Sequence, residues 1–317
     1  MKRRDFLKSA LTGAAVLGAG SLVSGSLTEA FAQKASGNNP AGGNGAKGKK
    51  PLKLGAAIAV FKPMDYQIAA PHIKAAGYDG TTVVLNTLVD NFRTAMWRDE
   101  IKRLNAIAAD NGLEFISAGT GDHDPERTRK LFETAAELGV SIVCTGPNGV
   151  TGDEASLNQS IADLGAMAQI AQEFRIPLVC KAHDGGSIHN TAEALRMVKA
   201  ITNPWFGADI DPYHVVLAHD SLTEAAKALV PYLKYAHVQD FKLTPEGKFM
   251  KSTPVERAIG RGDLDITGYL EVLLDGNYDG PLMVELYGDA MDLNTAISVT
   301  AQGHGYLNAC LKLLGEK

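Results

Sequence analysis

Short apolar runs alternate with longer segments of helical periodicity from residue 51 onward. The runs cover about five to seven positions and are rich in β-branched residues, which is typical of buried strands. The segments between them place apolar residues three and four positions apart, the spacing of one helix face. The predicted strands are residues 52–60, 81–85, 114–118, 140–144, 177–181, 206–210, 233–238 and 282–286.

A helix is predicted after every strand. Helix starts and stops support the boundaries: Gly77 follows the first helix, Asp124-Pro125 opens the third, and a capping box begins at Ser221. Strict alternation implies a parallel sheet, and eight such units form a closed (β/α)8 TIM barrel, here over residues 51–317. A doubly wound sheet is the alternative, but the first strand is followed by no Gly-x-Gly-x-x-Gly and the chain has no P-loop. Residues 242–263 are polar and irregular, which predicts a functional loop over the barrel mouth.

The first fifty residues differ from the rest. Arg3 and Arg4 precede a mildly apolar, glycine-rich run, and small residues follow near Ala32, a pattern typical of a twin-arginine export signal over residues 1–32. Residues 33–50 contain no large apolar residue, which predicts a flexible linker. We therefore expect a periplasmic protein without stable membrane insertion, or a membrane-tethered one if the signal is not cleaved.

The net charge of the predicted barrel restricts the classes of molecule that it can bind. Residues 1–50 hold eight basic and two acidic groups, which leaves 23 basic and 34 acidic residues, a net charge of −11, in the predicted barrel. Such a surface disfavours nucleic acid as a partner. The three cysteines fit neither a disulfide framework nor a zinc motif and are interpreted as packing residues. A homo-oligomer is compatible with the sequence.

Polar groups stand at the carboxyl ends of four predicted strands. These groups are Lys181, His183, Asp211, His214, His237, Asp240 and Glu285. A parallel barrel gathers those ends at one mouth, where such barrels keep their chemistry. Asp211, His237 and Glu285 are ligand types suited to Mn, Mg, Co or Zn, so we predict a divalent metal site. A metal-free cluster of ion pairs is the alternative, since buried charges are costly unless they are paired or metal-bound.

Several motifs resemble the xylose isomerase-like barrels, also called sugar phosphate isomerases/epimerases. The matching stretches are Gly77-Tyr78-Asp79-Gly80, Asp211-Pro212-Tyr213-His214, His237-Val238-Gln239-Asp240, Arg257-Ala258-Ile259-Gly260-Arg261-Gly262, and Tyr278-Asp279-Gly280 followed by Glu285. The resemblance covers residues 52 to about 315. It implies that Asp211, His237 and Glu285 bind the metal. It also implies that His214 and Arg257 contact substrate hydroxyls and that Glu285 exchanges a proton beside a carbonyl.

The end of the fifth predicted strand departs from this family. Members usually carry Glu-Asn-His there, where this chain has Lys181-Ala182-His183, so a lysine replaces the first metal-binding glutamate. Three consequences are open. Lys181 is a neutral base, or its charge replaces that of the metal by pairing with Glu285 or Asp211, or catalysis has been lost and only binding is kept. His183 lies two residues on and faces the same side, which makes it a stand-in ligand or a substrate contact.

The leading hypothesis is an exported isomerase or epimerase acting on a non-phosphorylated sugar or keto-sugar. Proton abstraction next to the carbonyl would be carried out by Glu285 and Lys181, with a divalent metal or Lys181 stabilising the enolate. The alternatives are a keto-sugar lyase or hydratase, and a non-catalytic carbohydrate-binding barrel.

Overall fold

The structure is a computed structural model that describes residues 51–286 and 290–315. The predicted signal peptide and linker lie outside the described residues. Within the described ranges, no helix combines the length and apolar character needed to cross a membrane.

Eight parallel strands close into a barrel, which confirms the predicted fold class. They are β1 (Leu54–Ala56), β2 (Gly80–Val84), β3 (Glu114–Thr120), β4 (Ile142–Thr145), β5 (Leu178–Lys181), β6 (Phe206–Ile210), β7 (Leu233–Val238) and, after the short antiparallel pair β8 (Lys242–Leu243) and β9 (Phe249–Met250), β10 (Leu282–Val284). Around the barrel, neighbours follow chain order from β1 to β7, and β10 lies between β7 and β1.

Helices connect the strands and surround the barrel. The α-helices are Tyr66–Ala75, Asn86–Asp90, Ala95–Asn111, Pro125–Glu137, Glu154–Phe174, Thr191–Ala200, Pro212–Leu217, Leu222–Leu229, Ile266–Asp275 and Leu293–Leu313. Most begin after an Asp, Asn, Ser or Thr whose side chain accepts a backbone N–H of the first turn. Asp124 is one example, accepting from the Arg127 amide at 2.9 Å. These caps satisfy donors that have no partner within the helix.

The barrel interior is filled in layers, because alternate residues of each strand point inward. A buried apolar layer contains Ala57, Ile116, Ile142, Val179, Tyr235 and Met283. Two residues further along their strands, Lys181 follows Val179, His237 follows Tyr235, and Glu285 follows Met283. The polar groups therefore form the next layer toward the carboxyl ends of the strands, directly adjacent to the apolar layer.

The structure differs from the predicted elements in several places, and one is the short helix Asn86–Asp90, which comes between β2 and the helix predicted to follow it. The first strand is short, because a 3-10 helix (Ile58–Phe61) interrupts the predicted residues 52–60. A helix at Pro212–Leu217 follows β6 directly, with Asp211 as its cap. The predicted functional loop contains the β8–β9 hairpin, whose two-residue strands are too short to show a period in the sequence.

Candidate active site

A cavity of about 510 Å³ lies at the carboxyl ends of the strands. This volume falls in the range of small-molecule sites. Its lining residues come from the ends of β5, β6, β7 and β10 and from the loop after β7. They are Lys181, His183, Asp211, Tyr213, His214, Gln239, Asp240, Phe241, Phe249, Lys251, Arg257, Glu285 and Leu286.

Lys181 lies between two carboxylates at the base of this cavity. Its Nζ atom is 2.9 Å from Oδ2 of Asp211 and 3.6 Å from Oε2 of Glu285. Burial alone would lower the pKa of Lys181, but Asp211, Glu285 and Asp209 outweigh it and raise that pKa well above its usual value. The side chain is therefore an ammonium ion, and a neutral Lys181 acting as a base does not fit this environment.

Asp211 is held from several sides. Its Oδ2 atom meets Lys181, while its Oδ1 atom accepts from the backbone of Tyr213 at 2.9 Å and from Nε2 of Gln239 at 2.8 Å. Burial alone would raise the pKa of Asp211, but Lys181, His237 and His214 outweigh it and hold that pKa below its ordinary value. Asp211 is therefore a fixed anion and is poorly placed to move protons.

Glu285 is fixed through one oxygen. Its Oε2 atom lies 3.6 Å from Lys181 Nζ, 3.4 Å from His237 Nε2 and 3.4 Å from Gln239 Nε2. Within the described part of the chain, Oε1 makes no hydrogen bond. The side chain is 15% exposed and lines the cavity, so the carboxylate is placed to meet a bound molecule.

His237 is oriented by Asp209, a buried residue of β6. The Nδ1 atom of His237 lies 2.9 Å from Oδ1 of Asp209, whose Oδ2 atom accepts from the thiol of Cys144 at 3.2 Å. Burial alone would lower the pKa of His237, but Asp209 and Glu285 outweigh it and raise that pKa. The carboxylate fixes the ring so that Nε2 faces Glu285.

His183 and His214 form a second group. Their ring centroids are 3.9 Å apart. The backbone N–H of Asp184 donates to Nδ1 of His214 at 3.2 Å, and burial lowers the pKa of His214 to about 4. His214 is therefore neutral near pH 7, with its proton on Nε2, and is suited to donate a hydrogen bond.

Asp240 anchors the loop that carries Arg257. Its two carboxylate oxygens accept backbone N–H bonds from Phe241, Gly260, Gly262 and Leu264 at 2.8–3.3 Å. A Cβ atom at Gly262 would lie 1.9 Å from Oδ1 of Asp240, so only glycine allows this approach. Asp240, one of the polar groups predicted at the strand ends, thus has a structural role. It holds the loop over the barrel mouth.

An aromatic wall forms one side of the cavity. We use this name for Tyr213, Phe241 and Phe249, whose rings meet edge to face with centroids 5.0–5.8 Å apart. Phe249 belongs to the β8–β9 hairpin, so the hairpin contributes to the cavity. Aromatic faces beside hydrogen-bonding groups suit a ligand with both C–H and O–H surfaces.

Comparisons with known proteins agree with this architecture. The family model described as "Xylose isomerase-like TIM barrel" matches residues 71–310. The chain belongs to this family.

One curated relative matches much of the chain at low identity. The chain is 21% identical over 232 residues to a 3-dehydroshikimate dehydratase of Pseudomonas putida. The aligned region covers 68% of this chain and 35% of that protein. The chain thus spans about a third of the length of this curated relative.

Two solved structures share the fold. A xylose isomerase-like TIM barrel protein from Mycobacterium smegmatis, in complex with magnesium, has a TM-score of 0.66 and 17% identity, covering 83% of this chain and 97% of that one. The 3-keto-D-glucoside 4-epimerase of E. coli has a TM-score of 0.64 and 19% identity, covering 82% and 100%.

The predicted metal ligands of this xylose isomerase-like chain do meet. Asp211, His237 and Glu285 each offer one ligand atom, and these atoms lie within 4.8 Å of one another. Taken alone, this set is a candidate site for a divalent ion, whose identity and presence stay a prediction.

With Lys181 included, the set does not fit a divalent ion. The ammonium lies in contact with the Asp211 oxygen and near the Glu285 oxygen that a metal would need. A divalent ion about 4 Å from an ammonium is repelled by about 8 kcal/mol at an effective dielectric constant of about 20. His183 is not among the residues whose ligand atoms lie within 4.8 Å of one another, and its Nδ1 atom lies 2.8 Å from the Asp184 carbonyl oxygen, so it does not complete the set in this arrangement.

The predicted substrate contacts His183, His214 and Arg257 all line the cavity, and their roles stay predictions. Sequence reasoning missed Asp209 and Gln239. The two-residue alternation from Asp211 and from His237 would have placed both on the inward face. All three cysteines are free thiols, and Cys144 also donates to Asp209.

Proposed function

We propose that this protein is an enzyme that removes a proton next to the carbonyl of a non-phosphorylated sugar or keto-sugar. The observation that carries this proposal is Glu285, a carboxylate that lines the cavity and is held through Oε2 by Lys181, His237 and Gln239. A carboxylate in that position can act as a general base. The names of the dehydratase and epimerase relatives support the substrate class.

The proposed first step uses two residues. Glu285 takes the proton from the carbon next to the carbonyl, and the electron pair of the broken C–H bond forms the enolate. Lys181 Nζ donates a hydrogen bond to the enolate oxygen, where negative charge develops. His214, neutral and protonated on Nε2, is suited to bind a substrate hydroxyl, and Arg257 lines the same cavity.

The spacing of Lys181 and Glu285 bears on the second step. Epimerisation at one carbon needs proton-carrying groups on opposite faces of that carbon. Lys181 Nζ lies 3.6 Å from Oε2 of Glu285, so the two groups stand beside each other and not on opposite faces of a substrate carbon. The pair therefore supports isomerisation over epimerisation by these two residues. In isomerisation Glu285 returns the proton to the former carbonyl carbon, while the hydroxyl proton of the first carbon passes to the enolate oxygen, so that the carbonyl moves by one carbon.

A keto-sugar lyase is the second candidate. Elimination needs one base and a group that protonates the departing hydroxyl, and neither has to lie opposite the other. The single-face arrangement of Lys181 and Glu285 suits this reaction equally well, and the matched relative is named as a dehydratase.

Deuterium exchange tests the proposal. The protein is incubated in D2O with a panel of non-phosphorylated keto-sugars and followed by proton NMR. We expect loss of the signal beside the carbonyl, with Glu285→Gln slowing it by at least about 100-fold. Glu271→Gln, at an exposed helix position, is the matched control. New vinylic signals would identify a lyase. Binding without exchange of any candidate would support a carbohydrate-binding barrel and overturn the enzyme proposal.

We further propose that the protein acts in the periplasm, supported by the twin-arginine pattern at residues 3–4. Replacing both arginines with lysine is expected to retain the chain in the cytoplasm, as measured by cell fractionation. Export of the double variant at the normal level would count against this route.

A further inference from the structure

We propose that the ammonium group of Lys181 is the built-in cation of this site and takes the place of a divalent metal among Asp211, His237 and Glu285. Exclusion of the metal follows from the site's own geometry. Its catalytic consequence, stabilisation of the enolate oxygen by Lys181, rests on the proposed function above.

The contacts of Lys181 are those expected of a cation that completes an anionic cluster. Asp211, with a side chain 1% exposed, meets Nζ at 2.9 Å, and Glu285 lies 3.6 Å away. Gln239 then bridges the same two carboxylates through its Nε2 atom. Two carboxylates side by side, Asp211 buried and Glu285 partly buried, need a cation, and Lys181 supplies it from within the chain.

The position of Lys181 explains why a metal would be excluded. It is the last residue of β5, and alternation along the strand directs it into the polar layer beside β6, where Asp209 pairs with it in register. The ammonium group of Lys181 thus lies beside Oδ2 of Asp211 and Oε2 of Glu285, the oxygen atoms that a metal ion would otherwise bind. Replacing it with glutamate would add a fourth ligand and remove the competing charge in one change.

An ammonium group differs from a bound metal ion in two ways that affect catalysis. A bound metal is lost to chelators, whereas a covalently attached ammonium is always present. It donates directional hydrogen bonds but carries half the charge of a divalent ion. We therefore expect proton removal from the substrate to be insensitive to chelators.

The test is metal binding, measured without any assay of activity. Wild-type protein, Lys181→Glu and Lys181→Gln are treated with EDTA, desalted, and titrated with MnCl2 and ZnCl2 by isothermal titration calorimetry. We expect no measurable one-to-one binding by the wild type. Lys181→Glu should bind with a dissociation constant at least about 100-fold below the weakest that the titration of the wild type would have detected. The double variant Lys181→Glu, Glu285→Gln is the control for ligand identity and should lose that gain.

The outcomes separate clearly. One-to-one binding of Mn2+ by the wild type that disappears in Asp211→Asn overturns the proposal. A folded Lys181→Glu variant that binds no metal also overturns it, because Lys181 would then not be what keeps the metal out. If Lys181→Glu does not fold, as judged by circular dichroism, Lys181→Gln takes its place and is expected to bind metal more tightly than the wild type. A metal-free wild type that exchanges no substrate proton would contradict the proposed function and leave the charge replacement standing.

Discussion

The imidazole Nδ1 of His237 lies 2.9 Å from Oδ1 of Asp209, and both side chains are almost fully buried. This pair sets the direction of Nε2, which faces Glu285. A carboxylate behind an imidazole fixes the ring orientation and the site of its proton. The relationship links the packed interior of β6 to the residue proposed as the base.

Asp209→Asn should therefore weaken both catalysis and stability. The amide oxygen can still accept from His237, but the negative charge behind the ring is gone, and the amide can turn its NH2 group toward Cys144 or His237. We expect proton exchange to slow by about 10- to 100-fold, as is typical when a partner of a site histidine is changed. The free energy of unfolding should fall by about 1–3 kcal/mol.

Deuterium exchange and urea unfolding measure the two effects of Asp209→Asn. Asp99→Asn, at an exposed position of the helix Ala95–Asn111, is the control and should change neither. An Asp209→Asn variant with wild-type exchange would show that His237 does not need this carboxylate.

Much of this architecture is readable from the sequence, for a physical reason. The alternation of apolar runs and helical segments is a local property, and it predicted all eight barrel strands within a few residues. Chain order around a parallel barrel then placed Asp211, His237 and Glu285 at one end. The lysine at the end of β5 and its possible pairing with Asp211 or Glu285 were also readable from the sequence, and the structure shows Lys181 between the two carboxylates.

The role of Asp240 shows where sequence reasoning ends. Its partners Gly260, Gly262 and Leu264 lie twenty or more residues away in an irregular loop. No periodic pattern in the sequence connects Asp240 with these loop residues. An acidic residue at a strand end is therefore not distinguishable, from sequence alone, from the catalytic and metal-binding residues. Asp209 is harder to predict for a different reason: it lies within β6, two residues before Asp211, where an inward-facing residue is expected to be apolar.

Asp240→Ala should release the loop of residues 242–263. The substitution leaves four backbone N–H groups without their acceptor, each a cost of about 1–3 kcal/mol if it stays buried. The loop is expected to avoid this cost by moving into solvent. We therefore expect faster cleavage within residues 242–263 by a low concentration of trypsin, located by mass spectrometry, and a raised KM because Arg257 moves with the loop.

Asp263→Ala is a useful comparison for Asp240→Ala, since Asp263 pairs with Lys242 at the more exposed base of the same loop. It should affect cleavage less. Equal protease resistance of the Asp240→Ala variant and the wild type would contradict the anchoring role.

Phe249 and Met250 offer a matched pair for the aromatic wall. They are neighbours on β9 and point to opposite sides, with Phe249 against Tyr213 and Phe241 and Met250 exposed. We expect Phe249→Ala to raise KM by about 3- to 10-fold with little change in kcat, since one aromatic contact contributes about 0.5–1.5 kcal/mol. Met250→Ala should leave both constants unchanged. A loss of kcat alone in Phe249→Ala would argue against a binding role.

His214 should remain neutral well below the pH at which ordinary histidines take up a proton. Burial lowers its pKa to about 4, against about 6.5 for a histidine in an unfolded chain. At pH 5.5 the folded protein should keep the Nε2–H form, with Nδ1 accepting from Asp184. Long-range proton–nitrogen NMR of histidine-labelled protein, assigned with His214→Gln, measures this directly.

The sign of the effect on stability follows from the same pKa. Between about pH 6.5 and pH 4 the unfolded chain binds a proton at this position and the folded one does not, so His214 lowers the free energy of unfolding as the pH falls through that range. His214→Gln should therefore show a shallower loss of stability between these pH values in urea titrations. An unchanged slope together with an imidazolium signal at pH 5.5 would mean that His214 is charged in the folded protein and binds its ligand as a cation.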